Sequence, residues 1–204
     1  MKKIPTLFKR VYEGHKIICI TPEITEVCEE AFLRGDATIK IDGSCCAVID
    51  GCVYKRYDAK KGKPIPEGAI KCQDEPDPIT GHLPCWVKVD PRNPADKWFF
   101  EAEKFATNDF AYALLDGTYE AIGKHFQGNP YHLGHDTLER HGIRLVHNLN
   151  RSFESVRKWL ETHNEEGIVF WLDGKPVCKI KRTDFGFEWP VRNDFITKRF
   201  NEVK

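Results

Sequence analysis

Short runs in which apolar and polar positions alternate, divided by Asp-Gly pairs, set the pattern of this chain. Residues 45–49 and 52–57 alternate on either side of Asp50-Gly51, and residues 167–172 and 175–181 do so about Asp173-Gly174. Alternation puts successive side chains on opposite faces of a strand, and Asp-Gly supplies the positive φ angles of a type I′ turn, so each pair of runs predicts an antiparallel hairpin. The same punctuation at Asp116-Gly117 predicts a third, joining 110–115 to 118–122. Another β-patterned run, Ala37-Thr38-Ile39-Lys40-Ile41, leads into Asp42-Gly43.

Helical signals are fewer. Thr21-Pro22-Glu23 predicts a helix start, with Thr as N-cap, Pro in the first turn and Glu beside the positive end; Gly35 closes it, and Glu26, Glu29 and Glu30 form its polar face. A second helix is predicted at 152–163, where Ser152 caps and Phe153, Val156, Trp159 and Leu160 form one apolar stripe suited to packing. Residues 62–97, rich in Pro and Gly, read as a long ordered loop anchored by Trp86 and Val87, and 124–142 as a second irregular segment. Three antiparallel hairpins with few helices predict an α+β domain built on antiparallel sheet with flanking helices, rather than a βαβ fold. The length of 204 residues fits one domain over 1–204.

Composition narrows the function classes. The 31 basic and 31 acidic side chains cancel, so any basic surface is local, as at Lys55-Arg56, at Lys60, Lys61 and Lys63, and at Lys179, Lys181 and Arg182. No run is long and apolar enough for a membrane span, and Met1-Lys2-Lys3-Ile4-Pro5-Thr6 lacks the apolar stretch of a signal peptide, so a cytoplasmic protein without a membrane partner is expected. The eight cysteines lack C-x-x-C spacing, which argues against zinc and for small packed thiols rather than a disulfide framework. The eight histidines show no H-E-x-x-H or comparable spacing, and most are expected on surfaces or loops.

Four short signatures fall in order, each on or beside a predicted strand. They are Lys40-Ile41-Asp42-Gly43, Thr118-Tyr119-Glu120-Ala121-Ile122-Gly123, Glu165-Glu166-Gly167-Ile168-Val169-Phe170 and Lys179-Ile180-Lys181. An amine attacks phosphorus only in its neutral form, which neighbouring cations favour. Alternation places Lys179 and Lys181 on one face, where they can act on such an amine and neutralise a phosphate. A solvated basic strand is the bland alternative.

Together the four signatures resemble motifs I, III, IV and V of the covalent nucleotidyltransferase superfamily, which holds ATP-dependent RNA and DNA ligases and mRNA capping guanylyltransferases. With Lys9-Arg10, the run from Tyr54 to Lys60, Asp77-Pro78-Ile79-Thr80-Gly81-His82 and Gln127-Gly128-Asn129-Pro130, the chain is similar to the small RNA ligases related to the vertebrate 5′–3′ RNA ligase, which include viral and bacterial members. The resemblance spans about residue 4 to about residue 190. It implies the nucleotidyltransferase domain fold, ATP and Mg²⁺ (or Mn²⁺) as cofactors, and RNA with 5′-phosphate and 3′-hydroxyl ends as partner. No obligate protein partner is evident.

The resemblance also implies roles. Lys40 becomes the AMP-carrying nucleophile; Lys179 and Lys181 serve the α-phosphate; Glu120 takes the ribose hydroxyls; Glu166 is the metal acid, with Glu165 its rival. Asp42 shapes the turn after Lys40. Arg56 meets the RNA-end phosphate, a task that suits its fork of donors, whereas Lys55 has the opposite strand parity. Backbone around Thr38-Ile39 would contact the base, and Phe126 or His147 would stack on it, each aromatic having a packing role as its alternative. Two departures are noted: Ser44-Cys45 follows Lys-Ile-Asp-Gly where DNA ligases usually have an arginine, and no room is expected between Lys181 and Lys204 for a C-terminal OB-fold. Lys9-Arg10 or the lysines at 60–63 are then the candidates to orient pyrophosphate. A DNA ligase, a capping enzyme, and an idle module that binds nucleic-acid ends are the alternatives.

Overall fold

The computed structural model of the chain describes residues 1–14, 16–78, 80–110 and 114–191. In chain order the elements are β1 (Phe8–Glu13), β2 (Lys16–Ile24), α1 (Glu29–Arg34), β3 (Asp36–Lys40), β4 (Ser44–Ile49), β5 (Cys52–Ala59), β6 (Ile70–Lys71) and β7 (Leu83–Lys88). They continue with α2 (Lys97–Phe110), β8 (Gly117–Ile122), β9 (Thr137–Arg140), α3 (Phe153–Thr162), β10 (Gly167–Leu172) and β11 (Lys175–Lys181). Short 3-10 turns occur at Glu26–Cys28, Pro94–Asp96 and Arg182–Phe185. The fold is α+β with antiparallel sheets and few helices, as the hairpin pattern predicts.

Two compact units are present. Among the described residues, one holds Met1–Lys3 and Asp42–His141; the other holds Ile4–Ile41 and Gly142–Val191. The first is built on a six-stranded antiparallel sheet in the order β6-β7-β5-β4-β8-β9. On one face of it α2 buries Phe99, Ala102 and Ala106 against Val48, Val53, Tyr119 and Leu138. The second unit carries the three-stranded sheet β11-β10-β3 and the hairpin β1-β2. Its core joins Phe8, Phe32, Val156, Leu160, Ile168, Phe170 and Ile180. Phe32 meets the ring of Phe170 edge-on at 5.3 Å, and Phe8 meets that of Phe153 at 4.9 Å. Burying a side chain of that size stabilises by about 2–3 kcal/mol, so these few rings account for much of the unit's cohesion.

Two of the three predicted hairpins form as expected. Asp50 and Gly51 have φ of 49° and 67°, and Asp173 and Gly174 have 49° and 70°, the double positive φ of a type I′ turn. The third does not form: β8 pairs with β4 and β9, and the segment before it is the end of α2, with 111–113 lying outside the described residues. The 3-10 turn that leads into α2 is capped by Asn93, whose side chain accepts from the N–H of Ala95 at 3.1 Å, with Pro94 in its first turn. Strand β7 likewise lies inside the expected loop 62–97, paired along β5 from Tyr54↔Lys88 to Ala59↔Leu83.

The helix expected from Thr21 is also corrected. Residues 21–24 belong to β2, which is held to β1 on either side of a bulge at Arg10↔Ile20 and Phe8↔Ile24, and α1 begins only at Glu29. By contrast α3 starts as predicted, Ser152 accepting from the N–H of Ser155 at 3.2 Å. Among the described residues no helix is long and apolar enough to cross a membrane.

Candidate active site

Strand β10 is the middle strand of its sheet, and its first residue fixes the geometry of the charged groups around it. Gly167 is in register with Lys40 of β3 on one side and with Lys181 of β11 on the other. A Cβ at Gly167 would come within 2.2 Å of the Ile180 carbonyl oxygen, so only glycine permits this approach. Glu166, immediately before it, therefore emerges between two lysines. Its Oε2 accepts from Lys40 Nζ at 2.5 Å and its Oε1 pairs with Lys181 Nζ at 2.7 Å, while its carbonyl accepts from the N–H of Arg182 at 2.9 Å. The Glu166 side chain is 5% exposed and that of Lys40 19%.

More charges adjoin this triad. The Lys181 N–H donates to Asp184 Oδ2 at 2.9 Å, and Arg10 Nη2 donates to Asp184 Oδ1 at 2.6 Å. Asp184, missed in the sequence, is signalled there only as an acid three residues into a turn, a capping position. Arg10 shares the inward face of β1 with Phe8; its Nε is buried and has no hydrogen-bond partner among the described residues. Lys9 takes the outward face and pairs with Glu23 in solvent at 2.7 Å. Lys179 is lowered to about 8, first by burial, then by the positive charges of Lys40 and Lys181, against the opposing pull of Glu166, with Arg10 adding a smaller push. One buried carboxylate thus gathers several cations, an arrangement that attracts polyanions such as phosphates.

The rival acid is committed elsewhere: Glu165 Oε1 pairs with Arg144 Nη2 at 3.2 Å. Ile39 lies on β3 next to Lys40, its N–H given to the Arg144 carbonyl at 2.8 Å. His147 is exposed, between Val146, which is partly buried, and Asn148, which is exposed.

The other unit carries Glu120, Arg56, Asp42 and Phe126. Glu120 is on β8, 8% exposed, and its Oε2 lies 2.8 Å from His141 Nε2, whose Nδ1 in turn lies 3.0 Å from Thr118 Oγ1. His141 follows β9, and its N–H donates to the Thr118 carbonyl at 3.0 Å; no periodic signal in the chain marks it. Gly43 lies so close to β8 that a Cβ would stand 2.3 Å from the Ala121 carbonyl oxygen. The Asp42 N–H donates to the Tyr131 hydroxyl at 2.7 Å, consistent with a turn-shaping role.

Arg56 is 17% exposed and already engaged, giving Nε to Asp58 Oδ1 at 2.9 Å and Nη1 to the Met1 carbonyl at 2.8 Å. Lys55 points the other way, as its parity predicts, into an ion pair with buried Asp96. Phe126 takes the packing role: it is 5% exposed and meets Phe99 edge-on at 5.1 Å. Lys60, Lys61 and Lys63 are exposed just past β5.

Among the described residues no group of three or more His, Cys, Asp or Glu stands at metal-binding spacing. Glu166 has both oxygens engaged by Lys40 and Lys181, so a hard divalent cation of the Mg²⁺ kind, which binds through one or two carboxylates plus substrate phosphates, would take the place of one of these ammonium groups.

The family model for RNA ligase 1 matches residues 109–204. RNA ligase 1 of Danio rerio is 28% identical over 248 aligned positions, covering 86% of this chain and 76% of that protein. RNA ligase 1 of Rattus norvegicus is 24% identical, with 94% and 79% covered, and that of Pongo abelii 22%, also with 94% and 79% covered. The chain is similar to vertebrate RNA ligase 1 proteins along most of its length.

Proposed function

We propose that this chain, similar to RNA ligase 1, is an ATP-dependent RNA ligase that joins 5′-phosphate and 3′-hydroxyl ends through a lysyl-AMP intermediate, with residues 1–204 acting as one nucleotidyltransferase domain. The observation that carries the reading is the Lys40–Glu166–Lys181 triad, with Oε2 at 2.5 Å from Lys40 Nζ and Oε1 at 2.7 Å from Lys181 Nζ. A lysine held by a carboxylate has a proton acceptor in reach, and the flanking cations suit the phosphate charge that builds during transfer.

In the first step the Lys40 Nζ lone pair forms a bond to the α-phosphorus of ATP, the bond to the β-phosphate oxygen breaks, pyrophosphate leaves, and the amine's proton passes toward Glu166. AMP then passes to the RNA 5′-phosphate, and a 3′-hydroxyl finally displaces AMP to close the strand. Lys179 and Lys181 neutralise the α-phosphate. Glu120, held by His141, accepts from the ribose hydroxyls, backbone near Ile39 meets the base, and Arg56 exchanges one of its present partners for the RNA-end phosphate. Mg²⁺ or Mn²⁺ held by Glu166 supplies further charge neutralisation when bound. Positioning and electrostatics provide most of the acceleration in such transfers.

The test is incubation with ATP and Mg²⁺ followed by intact-mass analysis of the wild type and Lys40→Ala. The wild type gains one AMP and the variant gains none; a wild type that never gains it, or a variant that gains it equally, defeats the reading. RNA against DNA ends, and ATP against GTP, separate the ligase from a DNA-sealing or capping enzyme.

A further inference from the structure

Helix α2 has two working faces, and the one toward residues 124–136 carries chemistry that the proposed reaction leaves unused. Trp98, Glu101, Lys104 and Phe105 line one side of an open cleft of about 400 Å³, and Lys124, His125, Gly134, His135 and Asp136 line the other. Helical spacing puts 98, 101 and 105 on one stripe, about 10 Å from end to end. Each end of that stripe is covered by an imidazole lying flat on an aromatic ring. His125 stacks on Trp98 with centroids 3.3 Å apart and planes within 4°, and His135 stacks on Phe105 at 3.7 Å and 17°.

The His125 ring is pinned before any ligand arrives. Asp136, buried, accepts from the His125 N–H at 3.0 Å and lies 2.7 Å from His125 Nδ1. With Nδ1 occupied, Nε2 is the ring nitrogen left to face a ligand. Lys97 Nζ lies 4.5 Å from the Trp98 ring centroid, and Lys104 and Lys124 are exposed at the cleft's margins. Planar polarisable faces with a free ring nitrogen suit a nucleobase, and the surrounding ammonium groups suit its phosphate. The volume falls in the range of small-ligand sites and holds about one nucleotide. Beside Gly134 nothing lies within 4 Å of an added Cβ, so the cleft is open there and a continuing strand can leave.

We propose that this cleft binds one unpaired nucleotide of single-stranded RNA, the base stacked on the His125 or His135 imidazole and the phosphate held by Lys104 and Lys124. The choice of RNA as the nucleotide's source rests on the ligase reading. Free mononucleotide has the same recognition chemistry and is separated from it below.

The experiment measures binding of a fluorescent single-stranded RNA by anisotropy across a salt series, with photo-crosslinking of the 4-thiouridine form and peptide mapping. Lys104→Glu/Lys124→Glu and His135→Ala are compared with wild type. The double variant is expected to bind about tenfold more weakly, with a salt slope shallower by about 1.4, the loss of two single-strand phosphate contacts. His135→Ala is expected to weaken binding severalfold through lost stacking. Crosslinks should fall in peptides within 97–136. Unchanged affinity and slope in the double variant, or crosslinks confined to other peptides, overturns the proposal. AMP that blocks the crosslink as effectively as unlabelled RNA overturns the strand assignment. Because AMP gain is read by mass on the same samples, a protein that never gains AMP sinks the ligase reading, whereas full adenylylation with unaltered RNA binding in the variants sinks the cleft alone.

Discussion

Glu166 and Glu120 are both carboxylates buried on or beside a strand, 4% and 8% exposed, yet their surroundings differ in kind. Glu166 is compensated by full charges, two ammonium groups on its two oxygens. Glu120 is satisfied by a single imidazole, itself tied to a threonine hydroxyl. Removing a charge from the first leaves like charges facing one another, while removing it from the second costs one hydrogen bond. The first environment is suited to electrostatic work on phosphates, the second to holding an acceptor at a fixed orientation.

The largest test of that contrast is charge removal. Glu166→Gln should destabilise the protein by about 3–5 kcal/mol, the usual cost of leaving buried partners unpaired, and abolish AMP gain; urea melts and intact mass report the two effects. A melting curve indistinguishable from wild type would mean the lysines are not held by this carboxylate. Glu120→Gln, which keeps an oxygen for His141, should cost only about 1 kcal/mol in stability while weakening ATP use about tenfold, seen as a rise in KM for ATP.

Next in size is a pH effect. Lys179, lowered to about 8 by burial and then by its cationic neighbours, is more readily charged in the unfolded chain, where its pKa is 10.5. Below pH 8 it is protonated in both states and the folded protein bears the full penalty; between 8 and 10.5 the unfolded chain binds more protons, so stability rises with pH and the penalty disappears. Lys179→Met should therefore raise Tm at pH 7 by roughly 2–4 °C, the shift that 1 kcal/mol produces in a chain of this size, and the gain should fade by pH 10.5. Because the charged form serves the phosphate in the proposed mechanism, the rate of AMP gain should fall as pH rises through about 8. A gain in Tm that stays constant with pH would assign the effect to packing.

The smallest effect concerns thiols. Cys45, beside Glu120 on the neighbouring strand, is pushed up to about 12, chiefly by burial and then by that carboxylate's charge, whereas Cys19 on β2 is exposed. Iodoacetamide at pH 8 should label Cys19 within minutes and leave Cys45 unmodified, as read by peptide mapping. Equal labelling would place Cys45 in a more open setting than the one described.

Local signals were decisive wherever local physics decides. The turns at Asp50-Gly51 and Asp173-Gly174 and the cap at Ser152 depend on a few adjacent residues, and they were legible. Thr21-Pro22-Glu23 has all the marks of a helix start, but pairing with Phe8–Glu13 overrode them, and no local rule contains that information. Helix α2 was missed although Phe99, Ala102 and Ala106 repeat at helical spacing, because the loop reading ends at 97, the strand reading begins at 110, and nothing was assigned between them. In the site, Lys40, Glu166 and Lys181 were read from motif order and do meet. Asp184 and His141 act through contacts made by tertiary pairing, and their spacing in sequence says nothing of them.

The register at Gly167 also governs when the site can exist. Lys40 and Glu166 are 126 residues apart in the chain, and they meet only after β3 has paired with β10. During synthesis the lysine leaves the ribosome long before its carboxylate does, and closing so long a loop is a slow, late event. A nascent or truncated chain lacking the last hairpin presents Lys40 without the acid and ammonium groups that would activate it. On the proposed mechanism, incomplete copies would then be unable to capture AMP, and assembly of the fold would itself guard against futile consumption of ATP.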